Sequence, residues 1–130
     1  MIIVKRIYEP QDAGDGHRVL VDRLCPRGIS REAAGIDSWT KDIAPSSELR
    51  KWYGHEPKRW DEFQVRYRQE LANPALQLQL ANLRQIADRG NLTLLTATRA
   101  QGQSHVTVIA EELATRGSTV DQRSRKALSK

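Results

Sequence analysis

Arg18-Val-Leu-Val-Asp-Arg-Leu24 and Leu92-Thr-Leu-Leu-Thr-Ala97 are the stretches whose reading decides the fold. Each is a nearly unbroken apolar run. That is the pattern of a strand buried on both faces, whereas a half-wet strand alternates apolar and polar residues. Strands of this kind belong to parallel sheets covered by helices. Upstream, Ile2-Ile-Val-Lys-Arg-Ile-Tyr8 is rich in β-branched residues and stops at Glu9-Pro10, a third strand. Gln11-Asp-Ala-Gly-Asp-Gly16 joins the first two as a turn-rich loop.

The remaining segments read as helices. Pro26 and Gly28 stop the second strand, and Ser30 caps a short helix that runs through Ala34 to Gly35. Ser46 caps a helix over residues 47–53, with Leu49, Trp52 and Tyr53 on one face and Gly54 at its end. Pro57 opens a helix carrying Trp60, Phe63, Tyr67 and Leu71 inward, with Glu62–Arg66 and Arg66–Glu70 pairs on the wet side. Pro74 opens another, with Leu76, Leu80, Leu83 and Ala87 inward and Gly90 at its close. Ser104 caps the last, whose inner stripe is Val106, Ile109, Ala110 and Leu113, closed by Gly117. The pattern predicts a single α/β domain over residues 1–118, with a small, largely parallel sheet flanked by helices. Its strands are expected near residues 2–8, 18–24 and 92–97. A polar basic tail follows over 119–130 and is expected to be disordered.

Composition narrows the function classes. At 130 residues and 38% hydrophobic the chain fits one core and no more. No run approaches the ~18 apolar residues of a membrane span. In Met1-Ile-Ile-Val-Lys-Arg-Ile7 the charges follow the apolar run, the reverse of a signal peptide. A lone cysteine, Cys25, excludes an internal disulfide framework and a Cys-rich zinc site. A cytoplasmic protein with no membrane partner is expected. The net charge of +5 lies mostly in the last ten residues, where Arg123, Arg125, Lys126 and Lys130 stand against Asp121. A tail of that kind touches polyanions weakly and does not make the folded part a nucleic-acid module.

Ligands of parallel sheets bind at the carboxyl ends of the strands. Two loops lead from such ends, Asp22-Arg-Leu-Cys-Pro-Arg-Gly-Ile-Ser30 and Thr96-Ala-Thr-Arg-Ala-Gln-Gly-Gln-Ser-His105. Guanidinium forks beside helix N-termini bind carboxylate or phosphate oxygens. If the two strands are neighbours, Arg23, Arg27, Arg99 and His105 line one anion-binding crevice, with Ser46, Arg50 and His55 on its rim. The catalytic candidates are His105 and His55, because imidazole titrates near neutrality. The competing reading pairs these arginines with structural carboxylates, and Asp22, Asp37 and Asp42 are at hand.

Arg18-Val-Leu-Val-Asp-Arg-Leu-Cys-Pro-Arg-Gly28, then Ala44-Pro-Ser-Ser-Glu-Leu-Arg-Lys-Trp-Tyr-Gly-His55, then Trp60, Phe63 and Tyr67 carry a resemblance. Over roughly residues 3–116 the chain resembles the YeaO-like proteins of the domain-of-unknown-function 488 family. The resemblance implies a small bacterial or archaeal cytosolic α/β protein and supplies no established reaction. Cys25 stands where the family pattern usually has Trp. The family's later motif is similar to Thr-Leu-Leu-Tyr-Ala-Ala-Lys-Asp followed by His-Asn-His-Ala. Here Arg99 replaces the Lys, Ala100 the Asp and Gln103 the first His, while His105 is kept. If the family site uses that Asp or first His, its activity is lost or altered here.

Three functional readings remain. The first is a pocket for a phosphorylated or nucleotide-like ligand; the absence of a glycine-rich fingerprint argues against a standard ATP or NAD site, so no cofactor is expected. The second is a Cys-x5-Arg phosphatase built on Cys25 and Arg31, weakened by Pro26, which removes an amide from the cradle. The third is a non-enzymatic nucleic-acid or protein binding domain using the tail and the Lys58, Arg66 and Arg68 face. That face also carries Asp61, Glu62 and Glu70, so it reads more simply as a solvated surface. His17, His55 and His105 are isolated, so no metal site is expected. Trp39, Trp52, Trp60, Phe63 and Tyr67 read most simply as core, with Trp52 or Trp60 lining a pocket for a planar ligand as the alternative. Whether the chain is an enzyme, and its oligomeric state, stay open.

Overall fold

The computed structural model describes residues 1–24, 26–99 and 101–115. Four parallel strands, β1 (Ile2–Arg6), β2 (His17–Leu20), β3 (Ser38–Trp39) and β4 (Leu92–Thr96), form one sheet in the order β1-β4-β2-β3. Among the described residues five α-helices accompany them: α1 (Arg31–Ala34), α2 (Ser47–Tyr53), α3 (Trp60–Leu71), α4 (Pro74–Arg89) and α5 (His105–Ala114). The expected α/β class with a small parallel sheet is therefore the observed one.

The two apolar runs are the inner strands, and their side chains divide between the faces as the pleat requires. Val19, Val21, Leu92 and Leu94 enter the larger core with Phe63, Tyr67, Leu80 and Ile109. Leu20 and Leu95 enter a smaller one with Ile7 and Ala34, closed by Ile29, Ile36 and Trp39. Val19, Leu20 and Val21 are all fully buried. Covering both faces removes about 25 cal/mol of hydrophobic cost per Å² of apolar surface, which is what holds a sheet this small together.

The local punctuation works as its chemistry demands. The Ser30 hydroxyl accepts the Ala33 amide and Gly35 ends α1 in the left-handed region. Ser46 accepts the Leu49 amide, and Gly54 ends α2. Gly16 has φ +65 and a Cβ there would lie 2.1 Å from the Asn91 carbonyl oxygen, so only glycine lets the β1–β2 loop pass this close to β4.

Four expectations need correction. β2 ends at Leu20, short of Leu24, because the Ala97 amide that the next ladder bond would use is taken by the Asp22 carboxylate. The two-residue strand β3 adds a fourth strand to the three expected; Trp39 holds it in place by donating from Nε1 to the Asp22 carbonyl at 2.6 Å. Glu70 does not pair with Arg66: it accepts from the Ser46 amide and hydroxyl, leaving Arg66 with Glu62. Ser104 occupies the N-cap position of α5 but its hydroxyl makes no cap bond. Cys25, Gly117 and the tail over 119–130 lie outside the described residues.

Candidate functional site

β2 and β4 are hydrogen-bonded neighbours, so the loops after them leave the same edge of the sheet. Between those loops, the Ala44-Pro45 segment and the end of α2 lies a cavity of about 310 Å³. Its polar lining includes Asp22, Arg23, Arg27, Arg50, His55 and His105. Leu24, Pro26, Ala44, Pro45 and Phe63 supply apolar wall. Sites of this make-up, mostly apolar with a few convergent polar groups, are how small-molecule pockets are built.

Asp22 organises the floor. Its Oδ1 accepts from the Thr96 hydroxyl at 2.7 Å and its Oδ2 from the Ala97 amide at 2.8 Å, joining the ends of β2 and β4. Nε2 of His105 stands 3.0 Å from Oδ1, so the carboxylate also fixes the imidazole. Burial raises the Asp22 carboxyl, but the His105 ring, the Ala97 amide and the Thr96 hydroxyl outweigh it and hold the group below its ordinary value.

The arginines differ in what they are free to do. Arg23 spends its Nε on the Pro45 carbonyl at 3.2 Å and one terminal nitrogen on the Ala44 carbonyl at 2.8 Å. It fixes the wall and keeps its other terminal nitrogen. Arg27 and Arg50 are exposed at the mouth, and among the described residues no hydrogen bond or ion pair engages either guanidinium. Two of the carboxylates at hand serve other groups: Asp37 accepts the Arg18 backbone amide, and Asp22 serves His105, Thr96 and Ala97. His55, at φ +56, follows Gly54 and places its ring 5.8 Å from that of Tyr53.

The structure thus brings Arg23, Arg27, His105, Arg50 and His55 to one cavity. It leaves two other sequence candidates elsewhere. Arg99 is exposed in its loop and outside the lining. Ser46 caps α2, bonds Glu70 and lies in a separate depression with Trp52 and Arg66. Arg31, the partner in the Cys-x5-Arg spacing, opens α1 and is also outside the lining, while Cys25 is outside the described residues. Sequence reasoning missed Ser104 as a wall residue, because a serine before a helix reads as a cap and nothing more.

The family described as the inactive DUF488-N3 subclade matches residues 1–129. The chain belongs to the DUF488 family. It is 40% identical over 109 residues to the uncharacterised protein YeaO of Escherichia coli K12, covering 84% of this chain and 93% of that one. It is 48% identical over 110 residues to the uncharacterised protein Rv3073c of Mycobacterium tuberculosis H37Rv, covering 85% of this chain and 91% of that one. The YeaO-like resemblance read from the motifs is thereby borne out. No solved structure matches the chain at significance. Both cavity loops fall inside the DUF488 match, so the site belongs to the family domain and not to an appended segment. Among the described residues no helix is long and apolar enough to cross a membrane.

Proposed function

We propose that the cavity holds a small phosphorylated ligand, of mononucleotide size or below, and binds it without turnover. One observation carries this reading: Arg27 and Arg50, whose guanidinium groups no hydrogen bond or ion pair engages among the described residues, and one terminal nitrogen of a third, Arg23, converge on a single cavity. Planar forks of this kind match phosphate oxygens in pairs. The one carboxylate in the lining, Asp22, already has donors on both oxygens, so it opposes an anion less than a bare carboxylate would. A volume of about 310 Å³ stands at the lower end of ligand pockets, about 300–1,000 Å³, which favours one phosphate and one ring system over a dinucleotide.

Binding without chemistry is supported by the description of the matching subclade as inactive. It agrees with Ala100 and Gln103 standing where the family motif carries Asp and His. A nucleic-acid surface is less favoured, since Arg66 pairs with Glu62 and Arg68 with Glu111 and Glu112.

Calorimetric titration of the full chain with inorganic phosphate, adenosine 5′-monophosphate and adenosine tests the reading. The monophosphate should bind and adenosine should not, and Arg27→Ala should weaken binding by roughly tenfold or more, the worth of a hydrogen bond to a charged group. No heat from either phosphate, or equal affinity for adenosine, defeats it.

A further inference from the structure

The first turn of α5 forms part of the cavity wall through Ser104 and His105. Ser104 sits at the N-cap position in extended backbone, φ −128 and ψ 172, where a serine oxygen ordinarily accepts an amide of the first turn. Here it accepts none. Its hydroxyl is buried and has no hydrogen-bond partner among the described residues, and the whole residue is 2% exposed. The neighbouring His105 Nε2 faces Asp22 Oδ1 at 3.0 Å, which leaves Ser104 as the unmet group on this wall. A buried hydroxyl without a partner among the described residues, on the wall of a cavity, is an uncommon expense in a folded domain.

We propose that Ser104 is a ligand-binding residue whose hydroxyl donates to an oxygen of the ligand's phosphate, seated at the N-terminus of α5. That terminus carries the partial positive charge of a ten-residue helix and presents first-turn amides to an anion. His105, fixed by Asp22, lines the same cavity next to Ser104, as do Arg23 and Arg27 of the loop after β2. Leaving the cap unmade keeps the hydroxyl for the ligand. This inference rests on the phosphate-binding reading above and adds where the phosphate sits and which uncharged group recognises it.

Ser104→Ala, with Ser104→Thr as the conservative companion, is the deciding pair, read by thermal melts and by titration with adenosine 5′-monophosphate. Removing an unmet buried hydroxyl should leave the ligand-free melting temperature unchanged or raise it, while affinity falls about tenfold. Ser104→Thr, which keeps the hydroxyl, should retain more affinity than Ser104→Ala. If the parent binds the monophosphate and Ser104→Ala binds equally well, Ser104 is no ligand contact and the phosphate-binding reading survives without it. If the ligand-free melting temperature of Ser104→Ala drops sharply, the hydroxyl is structural and the inference falls. A parent that binds neither phosphate nor the monophosphate removes both readings together.

Discussion

Oδ1 of Asp22 stands 3.0 Å from Nε2 of His105, and the same carboxylate holds the Thr96 hydroxyl and the Ala97 amide. One side chain thus ties the end of β2 to the end of β4 and aims the first residue of α5 at the cavity. Asp22→Ala should lower stability by roughly 1–3 kcal/mol for each buried donor it strands. It should also disorder His105. Urea denaturation measures the first effect, and the histidine ring resonances in NMR report the second.

Acid should act on the same tie. The Asp22 carboxyl is held low, and so is that of Asp15, where burial raises the group but Lys5, the Asp12 amide and Arg18 outweigh it. A carboxyl with a folded pKa below its unfolded value contributes stability that is complete above the unfolded value. That contribution is lost as pH falls from about 3.8 through the folded value. Stability should therefore hold down to about pH 4 and decline below it, with a shallower decline in Asp22→Ala than in the parent. Urea midpoints measured across pH 2–7 check this; an equal slope in both proteins would contradict it.

Arg18 and Arg27 make opposite predictions although both are arginines near β2. Arg18 is 4% exposed, bridges Asp15 and donates to the carbonyls of Ala34 and Gly35. Arg18→Leu leaves Asp15 buried with only Lys5 and the Asp12 amide, and the loss should fall near the lower end of the range for broken buried pairs, about 3 kcal/mol. Arg27→Ala touches an exposed side chain that no hydrogen bond or ion pair engages among the described residues, and should change stability by no more than about 0.5 kcal/mol. Chemical denaturation of the two variants separates a structural arginine from a ligand-facing one.

Arg23 should show both effects at once. Its truncation frees the Ala44 and Pro45 carbonyls at the wall, costing roughly 1–3 kcal/mol of stability, and removes one of the three cavity guanidiniums. Arg23→Lys should not rescue it, since a point charge cannot span two carbonyls as a planar fork does. Melts and monophosphate titrations on Ala and Lys variants measure this.

What the amino-acid sequence determined by itself was local or periodic. The cap and stop of α2, Ser46 and Gly54, are legible because a serine oxygen and a left-handed glycine act within one turn of the backbone they control. The two inner strands are legible because burial on both faces demands continuous apolar residues, and the parallel sheet follows. Tertiary structure alone decided where side chains with several possible partners would spend their bonds. Glu70 lies one helical turn from Arg66, yet it serves Ser46, 24 positions away in sequence. Asp22 lies in what reads as a strand, yet its carboxylate ends the ladder there by capturing the Ala97 amide. The crevice was readable as two loops on one sheet edge, but its membership only in part: Arg50 and His55 line it, Arg99 and Ser46 stay outside, and Ser104 joins it with no partner for its hydroxyl among the described residues. A hydrogen bond is short-ranged and directional, so its partner is settled only once the chain has brought distant donors and acceptors within about 3 Å of each other.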